Sequence, residues 1–198
     1  MTTIRSKTTK QDIIDISIQL FGQKGVENIS MNDIASACNI RKASLYTHYK
    51  SREDIINACY KHSLQIYYDA LLDAEHKNID NYYQSLKNMV FSILELHDKD
   101  IYMFRFLVIN QYTQIQYSNV IDNNNIIALL ANKILAGIKS KNIKIHEKDV
   151  DVITLSIAGI IIQQSVGIMF GRLNPSILGY KDIIWNIIHT ILESHSLN

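Results

Sequence analysis

One proline, Pro175, is all that interrupts the 198 residues, and that scarcity constrains the fold more than any other feature. Proline ends helices by removing a backbone donor and clashing with the preceding turn, so a chain that nearly lacks it is free to form long ones. The apolar residues recur every three to four positions almost throughout, the period of a helix with one buried face. At 47% apolar and 20% charged, the chain has a globular balance and enough length to bury a core. The pattern predicts an all-α protein of about nine helices. They run near Thr9–Lys24, Met31–Cys38, Lys42–His48, Arg52–His76, Asp80–His97, Lys99–Gln114, Asn119–Lys139, Glu147–Arg172 and Lys181–Ser194.

Local signals place several boundaries. In the first helix Ile13, Ile14, Leu20 and Phe21, with Ser17 between them, form one face, and Gly25 follows as a stop. Ser30 with Asp33, and Ser51 with Asp54, are variants of the capping box and predict helix starts. Asn39 tolerates the left-handed backbone that a tight turn between helices needs. Leu173-Asn174-Pro175 is the clearest break in the second half.

Several function classes lack support. Cys38 and Cys59 form no CxxC pair and read as small apolar residues in helices, which argues against a disulfide framework or a zinc site. His62, His76, His97, His146, His189 and His195 are scattered, and neither an HExxH motif nor a glycine-rich phosphate loop is present. The expectation is therefore a protein that is not an enzyme and carries no metal or cofactor. The polar Met1–Lys10 lacks the apolar stretch of a signal peptide, so a cytoplasmic location is expected. Val150–Phe170 is rich in Ile and Val. Asp151, Thr154, Ser156, Gln163, Gln164 and Ser165 interrupt it, which favours a buried or interfacial helix over a membrane span.

Charge is uneven. Met1–Lys61 holds nine Lys and Arg against six Asp and Glu, within a chain of net charge +1. Between Asn39 and Arg52 stand Arg41, Lys42, Lys50 and Arg52 with no acidic residue. That run adjoins a helix-turn-helix pattern, which needs a supporting helix, a tight turn and a second helix with an apolar inner side and a polar outer one. Ile34, Ala35, Cys38, Ile40 and Leu45 supply the inner side; Arg41, Lys42, Ser44, Thr47 and His48 face out. The last two helices are strongly apolar. A single chain has little interior for both, so a four-helix homodimer interface is expected at Ile157, Ile161, Ile168, Ile184, Ile188 and Ile191.

Over Ile13–Ile56 the chain resembles the TetR family of bacterial regulators. The resemblance is carried by Leu20-Phe21 with Gly25, by Ser30 with Ile34-Ala35, and by Leu45-Tyr46, Tyr49 and Lys50-Ser51-Arg52-Glu53. Asn39 stands where the family usually has Gly, Ala43 where Gly or Pro is common, Tyr49 where Phe is, and Arg52 where Lys is. The resemblance implies a three-helix DNA-binding domain over residues 1–52, joined by a long helix to a ligand-binding and dimerisation domain over 53–198. It implies a repressor that binds a palindromic operator in double-stranded DNA as a homodimer and is released by a small apolar or aromatic ligand. Control by a protein partner, or by no ligand, stays open.

By the same resemblance Tyr46, Lys50 and Arg52 meet the DNA backbone, and Ser30 caps its helix beside a phosphate. Arg41, Lys42, Ser44, Thr47 and His48 are left as candidates for base edges, where Arg and Lys suit guanine and a Thr methyl suits thymine. Arg5, Lys7 and Lys10 either add phosphate or minor-groove contacts or form a solvated tail. Candidate pocket residues are Phe91, His97, Phe104, Tyr112, Gln163 and Met169, aromatic or isolated polar groups on apolar helices.

Overall fold

The computed structural model describes residues 9–77, 81–110 and 126–194, and among them there are helices and no strands. Among the described residues nine α-helices follow one another: α1 (Lys10–Lys24), α2 (Met31–Ala37), α3 (Lys42–His48), α4 (Arg52–His76), α5 (Tyr82–Lys99), α6 (Ile101–Asn110), α7 (Ile126–Lys139), α8 (Val150–Met169) and α9 (Lys181–Ser194). Short 3-10 turns occupy Val26–Asn28, Glu147–Asp149 and Ile177–Tyr180. The expected all-α architecture holds. Of the expected helices, the sixth beyond Asn110, the start of the seventh, and Asp80 lie outside the described residues.

The chain separates into two compact units. The first is Met1–Ser63 with Ile101–Ile121; the second is Leu64–Asp100 with Asp122–Asn198. In the first, α1 begins at a reciprocal capping box: the Thr9 hydroxyl accepts from the Asp12 backbone and the Asp12 carboxylate accepts from Thr9. It ends at Gly25, whose φ of 82° suits glycine. Its buried face is Ile13, Ser17, Ile18, Phe21 and Gly22, while Ile14 and Leu20 are half-buried.

That face packs on α6. Phe21 stacks on Phe106 at 5.7 Å between ring centres, and Tyr60 meets Phe106 edge-on at 6.4 Å. Between the rings the helices touch backbone to backbone. A Cβ on Gly22 would lie 2.1 Å from the Tyr102 carbonyl oxygen. Cys59 is buried below, its thiol donating to the Ile14 carbonyl at 3.6 Å, and burial raises its pKa well above the ordinary thiol value.

In the second unit α5 buries Leu86, Met89, Val90, Ile93, Leu94 and His97, and α8 buries Ile153, Thr154, Ile157, Ile161 and Ser165. Helix α9 contributes Ile184, Trp185, Ile188 and Leu192. Trp185, the single tryptophan, lies 5.7 Å from the His189 ring. Helix α7 closes with the Asn142 amide on the Gly137 carbonyl and Lys141 at φ 60°. Helix α8 closes the same way, with Gly171 at φ 68° and the Arg172 amide on the Gly167 carbonyl. By length and composition Glu147–Met169 is apolar enough to cross a membrane, but within this unit it packs against α7 and α9.

Gly22→Ala tests the α1–α6 crossing. The added methyl has only backbone to push against, so unfolding by urea should show a loss of about 1–3 kcal/mol or more.

Candidate nucleic-acid interface

The helix-turn-helix is built from its caps inward. Ser30 caps α2: its hydroxyl accepts from the Asp33 amide, and the Asp33 carboxylate accepts from the Ser30 amide and hydroxyl. Those bonds from Ser30 hold the Asp33 carboxyl below its ordinary pKa. Helix α2 then ends in a paired closure. The Asn39 amide donates to the Ser36 carbonyl and the Ile40 amide to the Ala35 carbonyl, both at 3.0 Å. This closure requires a left-handed residue, and Asn39 supplies it at φ 55°. Ile34, Ala35, Cys38 and Leu45 are buried as expected, and Ile40 is half-buried.

Leu45 is the only fully buried residue of α3. The rest of the helix is turned outward: Arg41, Lys42, Ser44, Tyr46 and Thr47 are exposed, and His48 is half-buried. The Thr47 hydroxyl donates to the Ser44 carbonyl at 2.7 Å, which leaves its oxygen as an acceptor and its methyl for apolar contact. Among the described residues, no side-chain hydrogen bond or ion pair ties Arg41, Lys42, Tyr46 or Lys50 to another. Helix α4 opens on Ser51 and Asp54, which cap each other reciprocally at 3.1 and 3.0 Å, and the Lys50 amide also donates to Asp54.

Arg52 lies differently from its neighbours. Its guanidinium donates to the carbonyls of Val26 and Ile29 rather than pointing outward with Lys50. Arg5 and Lys7 lie outside the described residues. Lys10 is exposed, its ammonium 5.8 Å from the centre of the Tyr49 ring.

A family model described as "Bacterial regulatory proteins, tetR family" matches residues 13–59, the segment that forms α1 to the start of α4. Over that segment the chain is similar to TetR-family regulators. Among its relatives is the biofilm operon icaADBC HTH-type negative transcriptional regulator IcaR of Staphylococcus epidermidis, 37% identical over 92 residues. That alignment spans 46% of this chain and 50% of the relative. IcaR of Staphylococcus aureus (strain Newman) is 27% identical over 188 residues, covering 93% of this chain and 99% of the relative. The fold is also that of the transcriptional regulator FadR from Bacillus subtilis, solved in complex with stearoyl-CoA. The TM-score is 0.74 at 18% identity, over 91% of this chain and 97% of that one.

The pocket candidates are dispersed. Phe104 is buried in α6, in the first unit. In the second unit, Gln163 is exposed and Met169 half-buried. Tyr112 lies outside the described residues. Phe91 lines an open groove of about 550 Å³ with Ala70, Ala74, Ser92, Leu96 and Lys99, and the Lys87 ammonium covers its ring at 5.0 Å.

His97 is buried in the core of the second unit, 2.6 Å from the Ser165 hydroxyl. That hydroxyl also lies 3.1 Å from the Ile161 carbonyl. The Tyr67 ring lies 5.6 Å away, and its buried hydroxyl has no hydrogen-bond partner among the described residues.

Burial lowers the His97 pKa from 6.5 to about 3. Between those values the unfolded chain takes up a proton that the folded chain refuses. Stability should therefore be level above pH 6.5 and fall as pH drops toward 3. The range from pH 5 to 6.5 lies above most carboxylate titrations. There, the thermal midpoint should fall measurably in the wild type and less in His97→Gln.

Proposed function

We propose that this protein is a repressor that binds a palindromic operator as a homodimer and leaves it when a small, largely apolar ligand binds. The observation that carries the DNA reading is the outward row on and beside α3, where Arg41, Lys42, Ser44, Tyr46, Thr47 and Lys50 are displayed around one buried leucine. Residues 1–52 serve DNA and residues 53–198 serve dimerisation and ligand binding. The Tyr46 hydroxyl and the Lys50 ammonium meet phosphates, as does Ser30 beside its cap. These contacts set register without reading sequence. Arg41, Lys42, Ser44 and Thr47 reach base edges, with half-buried His48 at the margin. Repression follows the relatives' names as negative regulators. The site of action is the cytoplasm, where a bacterial operator lies.

The dimer reading rests on the surface of α8 and α9. Ile157, Ile161, Ile184 and Ile188 are buried inside the second unit, and Ile168 and Ile191 are half-buried. The apolar groups left exposed are one step around each helix: Val152 and Leu155 on α8, Ile183 and Ile187 on α9, with Leu155 and Ile183 each 60% exposed. Such a patch on two packed helices suits a second copy of itself, and two recognition helices held about 34–36 Å apart then meet successive major grooves.

The ligand reading rests on the unpaired Tyr67 hydroxyl beside neutral His97, which suits an uncharged polar group on an apolar body. The stearoyl-CoA of the FadR complex makes acyl thioesters the first probes. A ligand acts only if it binds the DNA-free state better.

Mobility shift on the DNA beside its own gene tests the reading. Wild type should prefer that DNA over random duplex, and Lys50→Ala should weaken binding to all sequences and lower the salt slope by about 0.9. Equal affinity for both duplexes defeats the claim. Leu155→Glu should give a folded monomer by light scattering and lose operator affinity. An unchanged dimer would remove α8 from the interface.

A further inference from the structure

Arg52 is one of four cations around α3, yet its head turns inward. Nε donates to the Ile29 carbonyl at 2.7 Å, a terminal nitrogen donates to the Val26 carbonyl, and the other lies 3.9 Å from the Glu53 carboxylate. The side chain is only 24% exposed. Val26 opens the 3-10 turn after α1, and Ile29 closes it. Both are buried, and Ser30, the cap of α2, comes next. One planar fork thus joins the first residue of α4 to the two ends of the turn that launches α2.

A guanidinium can serve two carbonyls at once because its donors are fixed in a plane. It cannot serve them and a phosphate with the same nitrogens. The helix-turn-helix lies between the two joined points in sequence: α2 follows the turn and α3 precedes α4. Fixing these points fixes where α3 begins and ends relative to the rest of its unit.

We infer that Arg52 is a positioning residue for operator binding, one that clamps α4 to the Val26–Ile29 turn and sets the placement of α3 without touching DNA. The inference rests on reading α3 as the DNA-contacting helix. It gives Arg52 a role opposite to that of Lys50, although the two stand two residues apart with the same charge.

The experiment measures affinity of the full chain against salt, by fluorescence anisotropy, for a duplex from beside its own gene and for a random duplex. The proteins are wild type, Arg52→Lys, Arg52→Ala and Lys50→Ala, each at a temperature where its circular dichroism matches wild type. Arg52→Lys keeps the charge and loses the fork. It should lose about ten-fold in affinity for its own duplex, the scale of one charge-assisted hydrogen bond, with much less change on random DNA. Arg52→Ala should do the same, and neither should change the slope of log affinity against log salt. A merely destabilising change would lower the active fraction for both duplexes alike and leave their ratio intact.

The inference is overturned if Arg52→Lys behaves as wild type while Arg52→Ala lowers the slope by about 0.9, the mark of a lost phosphate contact. An unchanged ratio of the two affinities overturns it as well. Lys50→Ala separates this from the parent reading. If wild type prefers neither duplex and Lys50→Ala leaves the slope unchanged, the DNA reading of α3 fails and the clamp's role fails with it.

Discussion

The seat of α3 is the constraint on which the rest depends. Seven residues make two helical turns, too few to persist alone in water. The helix exists because Leu45 is buried and because the turn before it is closed by two backbone bonds around Asn39. The outward side chains inherit their direction from those anchors. Any residue at 39 that resists a positive φ would cost about 1–2 kcal/mol and loosen the helix before it touched a contact surface. The α1–α6 packing and the caps on α1, α2 and α4 hold the remainder of the same unit together.

Much of this was legible in the sequence because the signals were local. Ser30 and Asp33, Ser51 and Asp54, Asn39 and Gly25 each act within four residues, and the helices begin and end where those residues require. Long-range features were not legible. Nothing in Ile101–Asn110 says that it packs with α1, since an apolar helix of ten residues fits many neighbours, and Gly22 reveals its purpose only beside Tyr102. The phase of α8 was hidden for another reason. Isoleucine occupies positions all around the helix, so the pattern has no clear inner side, and only packing places Ile157 and Ile161 within and Leu155 without. Arg52 was grouped with Lys50 by charge, whereas its direction depends on carbonyls more than twenty residues away.

The second unit carries polar groups where an efficient core would not. Tyr67, Tyr82 and Thr154 each bury an oxygen with no partner among the described residues, and each such group costs about 1–3 kcal/mol. Lys133 is also buried, paired with Glu75 at 3.6 Å and lying 5.7 Å from the Tyr82 ring centre. Departures of this kind from a dry interior concentrate where function asks for them. The first unit also buries oxygens with no partner among the described residues, on Ser17, Asn57 and Ser63, near a core built on the stacked rings of Phe21 and Phe106.

The single indole has a practical consequence. Trp185 is buried in α9, in the second unit, and the first unit contains no tryptophan. Emission excited at the red edge therefore reports on one unit only, while far-ultraviolet ellipticity reports on helices of both. If the two signals part company on heating, the protein melts in two stages, and the emission change names the stage that belongs to α9.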